Sequence, residues 1–418
     1  MQRALPFVAA AAVTFSASVP FWNWHPDEVT YVQVALESRA RGQWVDQTYL
    51  GAPSFLKPPL LGLAMRGAFA LFGDGVLASR VPSLVCLFLC AWLVGAWARR
   101  EAGPSAGLVA SLTMLLSPLA LRFGHLSMMD PPLALAFLTA AVVGREVRAG
   151  ASGLSRLLAL ALAIGATGLL KGPALFPLVL AAFLLEAGAR ALRWRWALSG
   201  VTGLVLGCSW VAVMYARHGA VFTQAFFGRE NLGKFSAPWS PMHVLVLAVA
   251  VVLASLPFAL WPRHFFDGRV PLFARWFPVV VLAFFALPSV TFAQYLVCAQ
   301  PAVALGAGVL GVRVPLRWVA SYVALACTVL VGGALVTRAL TSAPPFTCRQ
   351  VAVEGDKSAQ YQLWLAGPGL ADCHVSLATC DDHTFVPRAE VTGTQLLAVL
   401  DQRSLSPLTR PVCVERRG

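Results

Sequence analysis

Residues 76–100 read VLASRVPSLVCLFLCAWLVGAWARR, an apolar run closed by Arg99-Arg100. A transmembrane helix needs about 20 mostly apolar residues, because lipid offers the backbone no hydrogen-bonding partners and the helix supplies them internally. The pattern recurs along the chain. Apolar stretches bounded by charge fall at roughly 4–22, 76–98, 106–121, 131–144, 157–170, 174–189, 197–215, 242–261, 277–290, 295–311 and 319–340, about eleven in all. Composition agrees: the 418 residues are 58% hydrophobic and 12% charged, and the mean hydropathy is +0.70. Soluble domains carry about twice that share of charge. The expected class is therefore an all-α polytopic membrane protein.

The formal net charge of +13 does not point to nucleic acid. The arginines lie in short clusters between apolar runs, without the aromatic-interleaved basic surface that binds strands. Alternate connections hold Arg99-Arg100, Arg145/Arg148/Arg156, Arg190/Arg193/Arg195, Arg263/Arg269/Arg275 and Arg313/Arg317, which the positive-inside rule assigns to the cytoplasm together with the N-terminus. Gln2-Arg3 followed by Ala4 to Val19 resembles a signal peptide with small residues at Ser16-Ala17-Ser18, but reads here as an uncleaved first span that anchors the loop after it.

The other connections face outward and mix both signs. The first, about 23–75, contains Asp27-Glu28-Val29-Thr30-Tyr31, whose continuation to Leu36 reads as an interfacial helix with acids at its start. Lys57-Pro58-Pro59 opens a second helix reaching about Leu71. Another long connection, about 215–241, carries Phe222, Phe226, Phe227 and Phe235 beside Arg229 and Lys234. After about residue 340 the chain turns polar, so 1–340 reads as the membrane region and 341–418 as a small extracytoplasmic domain. Its Cys348, Cys373, Cys380 and Cys413 are an even set on an oxidising side and are candidates for two disulfides of open pairing. The spacing Cys373-x6-Cys380 does not suit a zinc site.

Adjacent acids such as Asp27-Glu28 can be plain helix-start residues. Lys57 can snorkel to headgroups. Asp130-Pro131-Pro132 reads equally as an N-cap with proline at the first turn. Arg122 and His125 can simply mark a span end. Lys171 is different: it lies between Gly168-Leu169-Leu170 and Ala174-Leu175-Phe176, where an ammonium needs a partner or a ligand.

Taken in order, Asp27-Glu28…Tyr31, Lys57-Pro58-Pro59, Arg80-x-Pro82-Ser83, Asp130, Lys171-Gly172 and Gln294-Tyr295-Leu296…Pro301-Ala302 resemble the GT-C glycosyltransferases related to lipid A aminoarabinose transferase and the protein O-mannosyltransferases. The resemblance runs from about residue 20 to 310. It implies transfer of a sugar from a polyprenyl phosphate to an acceptor outside the membrane, with inversion at the anomeric carbon. That acceptor would be lipid A, another glycolipid, a glycan or a protein. In bacteria it implies the inner membrane with the active site facing the periplasm.

Residue by residue, Asp27 stands at the family's general base and Asp130 at its second acid. Lys57, Lys171 and Arg122 suit the lipid phosphate, while Glu28, Tyr31, His125 and Tyr295 would support them. No cofactor is assigned, and a divalent-cation requirement stays open. Three departures argue against aminoarabinose as the sugar: Leu56 where an acid usually precedes Lys-Pro-Pro, Thr30 where an arginine precedes the tyrosine, and Ser289-Val290-Thr291-Phe292 where a lysine is usual. The competing readings are a membrane transporter, which would place charges near mid-span, and an inactive relative acting as an assembly partner.

Overall fold

The computed structural model describes Ala10, Thr14, residues 26–49, 52–236, 240–242, 245–249, 267–289 and 292–310, and four short segments, 350–352, 374–376, 384–386 and 412–414. Its chain divides into two compact units. The first comprises residues 1–17, 55–61 and 82–327; the second comprises 18–54, 62–81 and 328–418.

The elements are α1 (Pro26–Ala40), a hairpin of β1 (Gln47–Tyr49) and β2 (Ala52–Ser54), α2 (Leu60–Phe72), α3 (Val76–Ala102), α4 (Pro104–Leu116), α5 (Pro118–Phe123), α6 (Asp130–Arg148), α7 (Leu154–Lys171), α8 (Phe176–Ala187), α9 (Trp194–Thr223), α10 (Leu272–Ala286) and α11 (Gln300–Val309). Short 3-10 turns lead into α8 and α11. Four stretches among the described residues are long and apolar enough to cross a membrane: Val76–Ala102, Leu154–Lys171, Pro173–Leu192 and Trp194–Phe235. The expected span at 319–340, and most of those at 4–22 and 242–261, lie outside the described residues.

In the first unit the helices pack through small residues. A Cβ on Gly168 of α7 would meet the Cα of Gly207 of α9 at 2.6 Å, so these helices touch backbone to backbone, as membrane helices do where side chains are small. Gly172 ends α7 with a φ of +100°, a conformation that suits glycine. A Cβ there would also stand 2.8 Å from the Phe226 ring.

The expected connection at 215–241 is instead helical for most of its length. Beyond a kink at Gly219, α9 runs to Thr223 and continues as a π-helix, Gln224–Asn231, then a 3-10 turn to Phe235. Its aromatic residues account for the difference. Phe222 stacks on Phe226 at 5.4 Å, and both meet Trp210 edge-on at 5.4 Å, so an apolar cluster continues the helix.

In the second unit, β1 and β2 pair antiparallel. A guanidinium, Arg66, lies 4.1 Å over the Trp44 ring. Arg39 pairs with Asp74. Farther along the chain, β3 (Gln350–Ala352) pairs parallel with β4 (His374–Ser376), and β5 (Thr384–Val386) pairs antiparallel with β6 (Val412–Val414). Cys348, Cys373 and Cys380 lie outside the described residues, as does the Cys413 side chain.

Candidate active site

The short strip 55–61 of the first unit lies against the extension of α9. Phe55 packs on His218 at 5.0 Å and on Phe222 at 5.7 Å, and this contact delivers Lys57 to the π-helix. The Lys57 ammonium pairs with Glu230. The same carboxylate oxygen of Glu230 accepts a bond from Lys234 Nζ at 3.1 Å. Ser289 fixes the far end of this arrangement, since its backbone N–H and its hydroxyl both donate to the Lys234 carbonyl at 2.9 Å.

Two ammonium groups thus share one carboxylate. Burial is the main force that pulls the Lys57 pKa down to about 8; Glu230 opposes it, while the positive charges of Lys234 and Lys171 add to it. A cation so placed is stabilised by any further anion. A π-helical turn of this length is rare and marks functional sites often. Here it aims Glu230 at the strip.

Lys171, at the end of α7, donates to Asp130 Oδ1 at 2.9 Å. Its Nζ sits 3.9 Å from the Tyr295 ring centroid and 5.9 Å from that of Phe285, within the range of a cation–π contact. The pair is almost dry, with side-chain exposures of 11% for Lys171 and 3% for Asp130. Asp130 is not the N-cap of α6: Met129 takes that position, and Asp130 is the first helical residue. Its carboxylate therefore serves Lys171 rather than the helix start. Cys298 donates weakly to the Asp130 carbonyl at 3.8 Å, tying α6 to the turn that carries Tyr295.

Arg122, at the end of α5, is exposed, with its guanidinium 5.1 Å from the Phe123 ring. His125 is fully buried. Among the sequence candidates, the first unit therefore brings Lys57 near Lys171 in charge, and Lys171 onto Asp130 and Tyr295.

In the second unit, Asp27 lies in the first turn of α1 and Tyr31 one turn later, both half-buried. Glu28 has another task. Its two oxygens accept from Arg80 Nε at 2.6 Å and from a terminal nitrogen at 2.7 Å, with both side chains fully buried. This bidentate pair clamps α1 to the start of α3, so Glu28 is a structural residue. Arg80→Met is expected to cost about 3–5 kcal/mol by removing the cation that faces the buried Glu28 carboxylate. A large drop in the thermal midpoint of the detergent-purified protein checks this, and an unchanged midpoint would count against the clamp.

Glu230 and Lys234, which the structure joins to Lys57, are not among the site candidates read from the sequence. Their only local signal was charge in an aromatic segment, since Lys57 stands 173 residues before Glu230. Among the described residues no group of three or more His, Cys, Asp or Glu is arranged to hold a metal ion.

The family profile for dolichyl-phosphate-mannose-protein mannosyltransferase matches residues 56–214. The crystal structure of ArnT from Cupriavidus metallidurans bound to undecaprenyl phosphate superposes with a TM-score of 0.65 at 23% identity, covering 87% of this chain and 69% of that one. The chain shares the fold of that transferase. The chain also shares 29% identity over 265 residues with the undecaprenyl phosphate-alpha-4-amino-4-deoxy-L-arabinose arabinosyl transferase of Edwardsiella ictaluri, covering 59% of this chain and 47% of that one. With the corresponding transferase of Pseudomonas paraeruginosa the identity is 30% over 296 residues, covering 64% and 52%. The chain thus spans about half the length of these curated relatives. Fold and apolar helices together make it an integral membrane protein.

Proposed function

We propose that this protein transfers a sugar from a polyprenyl phosphate to an acceptor at the outer face of the bacterial inner membrane, with inversion at the anomeric carbon. The observation that carries the reading is Lys57, a nearly buried ammonium that shares the Glu230 carboxylate with Lys234. A departing lipid phosphate carries charge that cations in a dry site stabilise strongly. Lys57 and Lys234 would meet that phosphate, with Arg122 at the exposed rim. Lys171 holds Asp130, and together they would orient sugar or acceptor. Asp27 takes the acceptor proton, as its place in the motif order implies. The names of the relatives support an undecaprenyl-phosphate donor; the departures at Thr30 and Leu56 argue for a sugar other than aminoarabinose. The acceptor is lipid A, another glycolipid, a glycan or a protein.

Incubating the purified protein with a panel of undecaprenyl-phosphate sugars and outer-leaflet acceptors is the direct test. Turnover of one sugar supports the proposal, and binding of the lipid phosphate without turnover of any would leave a binding protein in place of an enzyme.

A pH dependence follows from Lys57. Below a pKa of about 8 its ammonium is charged and attracts phosphate; above it the amine is neutral and the attraction fades. The dissociation constant for undecaprenyl phosphate is therefore expected to rise as pH climbs past about 8. A bound phosphate lifts the lysine pKa, so the loss is gradual. Titration of Lys57→Met should show weaker binding at neutral pH, by about 10-fold or more, and no such inflection. An inflection retained in the variant would assign it to another group.

A further inference from the structure

We infer that the turn between α8 and α9 is a binding site for an anionic phospholipid, with the headgroup on Arg190, Arg193 and Arg195 and an acyl chain along one stripe of α9. Several arginines on connections of this kind are held by the protein, whereas Arg99 and Arg100 are exposed at the end of α3. Arg145 pairs with Glu101, Arg156 with Glu146 and Arg269 with Asp267. Arg148 donates to the carbonyls of Leu185 and Glu186, and Arg275 to that of Val270. These side chains are occupied by the protein itself.

Arg190, Arg193 and Arg195 are not. All three are exposed within six residues, and none has a carboxylate or carbonyl partner among the described residues. Arg193 stands at the N-cap of α9 in extended conformation and Arg195 in its first turn, where outward N–H groups also favour an anion. The backbone is held in place beneath them. Trp196 is buried against Phe183 at 6.1 Å, and the Ser199 hydroxyl donates to the Leu157 carbonyl at 2.6 Å.

An apolar track begins at the same point. Trp194, Leu198, Val201 and Val205 are exposed by 72%, 57%, 55% and 67%. Their spacing of four, three and four residues places them on one face of α9. From Trp194 to Val205 that face is about 16 Å long at about 1.5 Å per residue. One leaflet of hydrocarbon is about 15 Å thick. Three unneutralised cations at the head of a stripe one leaflet long match a lipid with an anionic headgroup rather than a zwitterionic one, since each basic side chain near the surface favours negative lipid. Leu192, 84% exposed between two of the arginines, adds an apolar contact at headgroup depth.

Trp194 gives the experiment its reporter. The full-length protein is placed in nanodiscs containing brominated phosphatidylglycerol or brominated phosphatidylcholine at equal mole fraction, and the emission lost in Trp194→Phe is taken as the Trp194 signal. Expected is quenching by the anionic lipid that corresponds to about tenfold local enrichment over the zwitterionic one, reversed by unbrominated phosphatidylglycerol. Equal quenching by the two lipids would overturn the inference. So would an anionic preference that survives in Arg190→Gln/Arg193→Gln/Arg195→Gln, because the arginines would then not be the ligands. Should that variant fail to insert, the wild-type comparison and its competition by unbrominated lipid still decide the matter.

Discussion

Asp27→Asn is expected to insert and to bind undecaprenyl phosphate like the parent protein, yet to transfer sugar about 10²–10⁴-fold more slowly. A sugar or lipid hydroxyl is a poor nucleophile at neutral pH, so a carboxylate that accepts its proton in the transition state matters by that factor. Asparagine has the same shape and cannot take the proton. The contrast with a helix-start role is sharp. Asp27 lies in the first turn of α1, and as a mere partner of the helix dipole it would contribute a few tenths to about 1 kcal/mol of stability and nothing to turnover. Single-turnover rates on purified variants, together with thermal midpoints, separate the two roles. Transfer retained in Asp27→Asn but lost in Asp130→Asn would move the base to Asp130. Glu28→Gln cannot serve as the neutral control, because Glu28 is locked to Arg80 and its loss would weaken the fold.

Lys171→Met is expected to lower both folded yield and transfer, whereas Lys171→Met/Asp130→Asn should recover the yield and not the transfer. The reason lies in what the single variant leaves behind. Asp130 is 2% exposed and its carboxylate faces the Lys171 ammonium at 2.9 Å. Removing the cation strands a buried negative charge, at about 3–5 kcal/mol. Removing both charges relieves that cost, since a neutral pair of similar volume is often tolerated. The double variant nonetheless lacks the groups proposed to orient sugar or acceptor. Size-exclusion yield in detergent reads the first effect, and transfer rate at saturating donor reads the second. If the double variant also regained transfer, the pair would be a fastening of α6 to α7 and no part of the chemistry.

The two predictions differ because the two residues were legible to different degrees. Lys171 stood out in the sequence, since an ammonium within an apolar run demands a partner. Which partner it takes is open in the sequence, where Asp130 reads equally as an N-cap beside two prolines and as a second acid of the site. Glu28 shows the reverse. Next to Asp27 it read as a second helix-start acid, and only its contact with Arg80, 52 residues away, reveals a clamp. Glu230 and Lys234 had no motif at all and owe their place to the aromatic packing that carries α9 past Gly219.

Apolar runs of span length, the arginine clusters between them and the order of the short motifs are all local properties of the chain. Hydrogen-bond satisfaction in lipid turns such runs into helices whatever their neighbours, so the helical membrane class and its resemblance to GT-C transferases could be read directly. Ion pairing is not local. Lys57 meets a carboxylate 173 residues away and Lys171 one 41 residues away; desolvation makes each buried charge seek a partner without specifying which. Tertiary packing made that choice. It bound Asp130 and Glu28 into pairs and gathered Lys57, Glu230 and Lys234 into the cation site on which the proposed chemistry rests.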